Sequence, residues 1–196
     1  MVVARSEESR QAIIDATLAL IGLGDEHPGM TIQKLTIESI ARRAGVSKAT
    51  IYRWWPNKAA VVLDAFAGSY LSHTPIPDGL PVTESLAIHV KSVVRQFAGD
   101  EGRVIAEMIA EAQYDSGTME DVRARFWSVR AQAIHNVMDR GIHEGVFRVD
   151  LNPILAGDIM YAPIYFRLLM KGGPLDDAFA DELASVVLRA FMAADR

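Results

Sequence analysis

Apolar side chains recur along this chain every three to four residues, and the rhythm breaks only at clusters of glycine, proline and small polar residues. Residues three and four apart share one face of a helix, so the pattern predicts helices that each bury one stripe. In residues 6–22 the stripe is Ile13, Thr17 and Leu20, widened by Ile14, Leu18 and Ile21, and a loop follows over 23–30. Thr36 is placed to cap a short helix reaching Ala44, and Gly45 supplies a turn residue that tolerates positive φ. Ser47 caps the next helix, residues 48–54, and Asn57 caps another that reaches His73 with Val62, Ala65 and Phe66 inward. The stretch 74–81 cannot continue it, because Pro75, Pro77 and Pro81 remove donors and fix φ.

Beyond this break Leu86, Val90, Val93, Val94 and Phe97 mark a helix that Gly99 and Gly102 are expected to end. Val104, Met108, Ile109 and Ala112 mark a short helix, and Val122, Phe126, Val129, Ala133 and Val137 a long one over about 119–144, stopped at Gly145. Asn152 caps a helix carrying Leu155, Ile159, Ala162, Phe166 and Leu169, in which Pro163 predicts a kink. The last helix, about 176–194, carries Phe179, Leu183, Val186, Val187 and Ala190. About nine helices and no strand pattern make the fold class all-α. The expected division is a head over 1–58, a connecting helix over 57–73 and a helical body over 74–196. Between Ile154 and Met170, a second apolar face of Met160, Tyr161, Ile164 and Leu168 lies beside the first. Such a helix needs cover on both sides, from a second copy of the chain or from the centre of a monomeric bundle.

Composition narrows the function. The chain has 196 residues, half of them hydrophobic, and no cysteine, which excludes a disulfide framework, a Cys-ligated zinc site and a thiol nucleophile. No stretch has the run of about 18 apolar residues that a membrane span needs, and the first ten residues are polar, so a soluble cytoplasmic protein is expected. The net charge of −5 is unevenly spread: residues 1–60 hold eight basic against six acidic side chains, and the remainder holds twelve against nineteen. A mildly basic head on an acidic body favours docking on phosphate through one end.

Two short helices joined by a glycine turn over 36–54 have the layout of a helix-turn-helix, which enters the major groove with its second helix. The order Thr36, Ile40-Ala41, Ala44-Gly45-Val46-Ser47, Thr50-Ile51-Tyr52, Trp55 and Asn57-Lys58 closely resembles the DNA-binding head of the TetR/AcrR family of bacterial transcriptional regulators. The resemblance covers about a quarter of the chain. It implies that Ile40, Ala41, Val46, Ile51 and Trp55 form the core. It further implies that Lys48, Ala49 and Thr50 face base edges and that Thr36, Tyr52, Trp54 and Lys58 meet phosphates, with a packing role as the alternative for Trp54. Arg42, Arg43 and Arg53 are expected to neutralise backbone or remain solvated, and Arg5, in an N-terminal arm, can reach a minor groove or stay without contact. The connection before Thr36 departs from the family pattern by an apparent insertion, residues 25–34. Its acidic start should point away from DNA, and Lys34 at its end can add a contact.

The segment from Ala162 to Met170 and then Gly173-Pro-Leu-Asp176 resembles, more weakly, the family's ligand-binding and dimerisation domains, in which the last two helices pair two copies. That resemblance implies a small-molecule effector and a homodimer. Candidate pocket residues are Phe97, Met108, Trp127, Ala131, His135, Met160 and Tyr165, with plain core packing as the alternative for each. Candidate interface residues are Leu155, Ile159, Ala162, Phe166, Leu183 and Val187. The expected function is a ligand-responsive homodimeric regulator, a repressor by the family's common mode, that binds a palindromic double-stranded operator and needs no cofactor or metal. The alternatives are a helical-bundle enzyme or a dimeric small-molecule-binding module. The first lacks a His-Glu-x-x-His and has no His three residues after a Glu.

Overall fold

The structure, a computed structural model, describes residues 2–24 and 29–193, with side chains from Glu7 onward. The Arg5 side chain and the acidic start of the insertion, Asp25 and Glu26, lie outside the described residues. Ten α-helices follow in order: α1 Val2–Leu20, α2 Ile37–Ala44, α3 Lys48–Tyr52, α4 Lys58–His73, α5 Val82–Ala98, α6 Asp100–Ala112, α7 Ser116–Val122, α8 Ser128–His143, α9 Pro153–Met170 and α10 Asp177–Phe191. One turn of π-helix, Arg123–Trp127, joins α7 to α8 without a break, so the described residues form nine helical bodies. None of the helices is long and apolar enough to cross a membrane.

The described chain forms no strand, only an isolated antiparallel bridge between Phe147 and Met192. Arg148 N–H donates to the Phe191 carbonyl at 2.9 Å and Ala193 N–H to Val146 at 3.0 Å. This tie escapes a helical reading because it uses the backbone just beyond two helix ends.

Two compact units divide the chain: Met1–Tyr70 with Arg103–Phe126, and Leu71–Gly102 with Trp127–Arg196. In the first, α1 packs on α2 and α3, burying Ile13, Ile21, Ile40, Ile51 and Trp55. Phe66, Tyr70 and Phe126 form an aromatic triangle with ring centroids 5.0 to 5.6 Å apart, each contact worth roughly 0.5–1.5 kcal/mol beyond its area. In the second unit α5 packs against α8, α9 and α10, and the core runs through Leu86, Val90, Val93, Met160, Ile164 and Val187.

Two expectations change. Gly102 does not end a helix but lies in the first turn of α6. A Cβ there would come within 2.0 Å of the Phe97 carbonyl oxygen, so only glycine allows the backbones to pass. The long helix also changes phase at its π turn, which inserts one extra residue per turn. The buried positions after Phe126 are therefore Arg130, Ile134, Val137, Met138 and Gly141, whereas Val129 is exposed and Ala133 half-buried. α9, by contrast, continues through Pro163.

Candidate functional site

The head is set by its caps. Thr36 accepts from Ser39 N–H while the Ser39 hydroxyl accepts from Thr36 N–H, a reciprocal capping box that starts α2. Gly45, at φ 67°, ends it: its N–H and that of Val46 both return to the Ala41 carbonyl. Ser47 then caps α3, accepting from Thr50 N–H at 3.1 Å. Ile40, Ala41, Ile51 and Trp55 are buried as the motif requires, and Val46 is half-buried. Trp55 is anchored through its indole N–H, which donates to Asp64 at 3.0 Å. Arg10 closes the arrangement, 2.8 Å from the same carboxylate oxygen and 5.7 Å from the Trp55 ring centre.

With Ile51 held inward, α3 turns Lys48, Ala49, Tyr52 and Arg53 to the exposed side, Tyr52 at 53 %. Thr50 is half-buried, its hydroxyl 2.9 Å from that of Ser47. Thr36, Arg42, Arg43 and Lys34 are exposed. Thr36 uses an oxygen lone pair in its cap, which leaves the hydroxyl hydrogen able to donate to phosphate. Trp54 is half-buried with its ring 6.4 Å from that of Trp55. Lys48 is engaged with Glu38, whose carboxylate lies 2.6 Å away. That hydrogen bond lowers the Glu38 pKa and raises that of Lys48, so both stay charged at neutral pH. The contact runs from one helix to the next across the turn, and helical periodicity within either element does not reveal it.

Lys58 departs from a simple phosphate role. Its ammonium donates to the Ile32 carbonyl at 2.6 Å and lies 3.7 Å from Glu111. The Ile32 N–H donates to Glu107 at 2.7 Å, so both polar groups of that residue are held. Arg103, 3.1 Å from Glu107, donates to the Ile21 carbonyl at 2.5 Å. Arg103, Glu107 and Glu111 stand four residues apart on α6, so one stripe of that helix grips both ends of the connection from α1 to α2.

In the second unit, Phe97 and Tyr165 meet edge to face at 5.5 Å, and Trp127 N–H makes a long contact of 3.5 Å to the Tyr165 hydroxyl. Met160 is buried in the same unit, whereas Met108 is buried in the first. Ala131 and His135 do not join these rings. They follow the inward positions Arg130 and Ile134 by one residue and are exposed, with His135 Nε2 3.2 Å from Asp139. Arg130 takes the inward place, its guanidinium donating to both the carbonyl and the hydroxyl of Thr74.

The expected interface residues also separate. Leu155, Ile159, Ala162 and Phe166 form an exposed stripe along α9, Leu155 at 55 % and Phe166 at 60 %. Leu183 and Val187 are buried, at 8 % and 0 %, in the unit where α10 packs on α5. The exposed side of α10 carries Val186 and Ala190 instead.

A capped helix pair joined by a tight glycine turn, its short second helix exposing one face, has the layout of a DNA-binding helix-turn-helix. Residues 31–65 match the family model described as bacterial regulatory proteins, tetR family, and residues 76–187 match the tetracyclin repressor-like C-terminal domain. The chain belongs to the TetR family of bacterial transcriptional regulators. It is 34 % identical over 187 residues to the HTH-type transcriptional regulator YdeS of Bacillus subtilis, covering 95 % of this chain and 90 % of that one. It is 27 % identical over 190 residues to the DNA-binding transcriptional repressor TetR of Mycobacteroides abscessus, covering 95 % of each. Among solved structures, the TetR family transcription regulator SCO0332 superposes with a TM-score of 0.80 at 27 % identity, over 95 % of this chain and 100 % of that one. FadR from Bacillus subtilis, solved in complex with stearoyl-CoA, shares the fold at a TM-score of 0.68 and 18 % identity, over 91 % and 97 % of the two chains. The protein is thus a ligand-responsive transcriptional regulator with a helix-turn-helix head, and its relatives are regulators rather than enzymes.

Proposed function

We propose that the protein is a homodimeric repressor acting in the bacterial cytoplasm, which binds a palindromic operator with one α3 helix per half-site and leaves it when a small apolar or amphipathic effector binds the body. The observation that carries this reading is the division of α3 between buried Ile51 and exposed Lys48, Ala49, Tyr52 and Arg53. Lys48, Ala49 and Thr50 stand in the first turn, where side chains reach base edges. Thr36, Tyr52, Arg53, Trp54 and Lys58 supply donors for phosphate, which fix register without reading sequence.

Dimerisation is supported by the exposed stripe on α9, extended by Ile154, Leu169 and Met170. Contiguous apolar surface of this kind is characteristic of an interface, and a two-fold pairing of helices covers it with itself. For the effector, the aromatic cluster of Phe97, Trp127 and Tyr165, with Met160 buried in the same unit, supports a ligand with an apolar body. The complex of FadR with stearoyl-CoA shows that this fold accommodates such a molecule. Release requires that the effector bind more tightly to a state in which the two heads no longer match the groove spacing.

Selection from random duplex DNA at near-physiological salt tests the proposal. The expected product is a palindrome with half-site centres about one helical turn, roughly 34–36 Å, or a multiple of it apart. Failure to enrich any duplex, with or without a panel of acyl thioesters, would overturn it.

A further inference from the structure

Glu38 is an exposed acid beside the helix that the operator reading assigns to the groove. It stands second in α2, exposed, and its carboxylate meets the Lys48 ammonium at 2.6 Å, ten positions on and in the first turn of α3. A carboxylate facing phosphate is repelled, and beyond the Lys48 ammonium on Oε1 it can accept only from a further hydrogen-bond donor, which phosphate does not provide. The major groove offers one. A G·C pair displays the guanine N7 and O6 acceptors and then the cytosine N4 amino donor, while an A·T pair places the adenine amino group between two acceptors.

An ammonium has three donors and a carboxylate two oxygens, so the Lys48–Glu38 contact can persist while each group bonds a base. With Lys48 across N7 and O6, Glu38 is left beside N4. On an A·T pair the same placement sets the ammonium against an amino group. We propose that Glu38 and Lys48 read a G·C base pair jointly, Lys48 on guanine and Glu38 on the cytosine amino group, which makes Glu38 a specificity-determining residue of the operator site. This rests on the operator reading above.

Competition binding on the selected operator tests it, using the full chain and a duplex in which the candidate G·C pair of each half-site is replaced by A·T. Wild type should prefer the G·C duplex by about 10- to 100-fold, the discrimination expected of one well-placed base contact. Glu38→Ala keeps Lys48 on guanine and should lose the cytosine contact, lowering the preference at this pair several-fold while keeping those at other positions. Glu38→Gln, whose amide can accept from cytosine N4 or donate to the thymine O4 that takes its place, should narrow the preference for G·C. The side chain is exposed, and an unchanged melting temperature confirms that the variants fold. If Glu38→Ala strengthens binding to every duplex alike with base preferences intact, Glu38 is only a charge at a helix N-terminus and the inference fails. A wild-type chain that selects no operator overturns the operator reading and this inference together. A G·C preference undiminished by Glu38→Ala overturns the inference alone.

Discussion

His89 makes stability depend on pH in a calculable way. Its ring is fully buried on α5, with Nδ1 3.3 Å from the Pro75 carbonyl and Nε2 2.7 Å from the Tyr161 hydroxyl. A carbonyl can only accept, so Nδ1 carries the hydrogen and Nε2 accepts from Tyr161 O–H. The neutral ring is therefore satisfied at both nitrogens. Burial, and then the charge of Arg130, push its pKa from 6.5 down to about 3. Above pH 6.5 both folded and unfolded chains hold a neutral ring, and the group costs nothing. As pH falls from 6.5 toward 3 only the unfolded chain takes the proton, so stability is lost across that window. At pH 5.5 the loss is about 1.4 kcal/mol per chain, from one pH unit below the unfolded pKa. His89→Gln keeps one donor and one acceptor and does not titrate. Urea unfolding of both proteins at pH 7.5 and 5.5 should show wild type losing about 1.4 kcal/mol more than the variant. Equal losses would refute the neutral, buried assignment, because the two proteins differ only at this side chain.

Gly141→Ala places a Cβ 2.1 Å from Cδ2 of the fully buried Phe147 ring; overpacking of about 1–3 kcal/mol is expected and should lower the melting temperature. Asp64→Ala leaves the indole N–H of Trp55, 1 % exposed, without its acceptor. The expected cost is about 1–3 kcal/mol in thermal unfolding, and Asp64→Asn, which keeps an acceptor oxygen, should recover most of it. Phe166→Glu with Leu155→Glu puts charge into the exposed stripe of α9. Sedimentation should report a monomer with weakened operator binding, and an unchanged dimer would place the interface elsewhere.

The head was legible in the sequence because its signals are local: Thr36, Gly45 and Ser47 act within four residues of themselves, and Ile40, Ile51 and Trp55 obey helical spacing. The body was legible as far as its apolar rhythm held. The π turn at Arg123–Trp127 has no compositional mark, so the expected inward positions Val129 and Ala133 fall one residue short of Arg130 and Ile134, and side-chain type alone did not show that Ala131 and His135 face outward. On α10 both Val186 and Val187 are apolar, and only the packing of α10 on α5 decides which is buried. The added partners of Lys58 were hidden for a different reason. Its place after the recognition helix suits phosphate, but its other partners come from Ile32 and from Glu111 on α6, too far along the chain for any local pattern to reveal. An ammonium with one donor on the Ile32 carbonyl retains two for an approaching phosphate. The two roles separate by salt dependence. Lys58→Met should reduce the slope of log affinity against log salt by about 0.9 per head if the lysine also meets DNA. A lowered melting temperature with the slope unchanged would make Lys58 solely the link between Ile32 and α6.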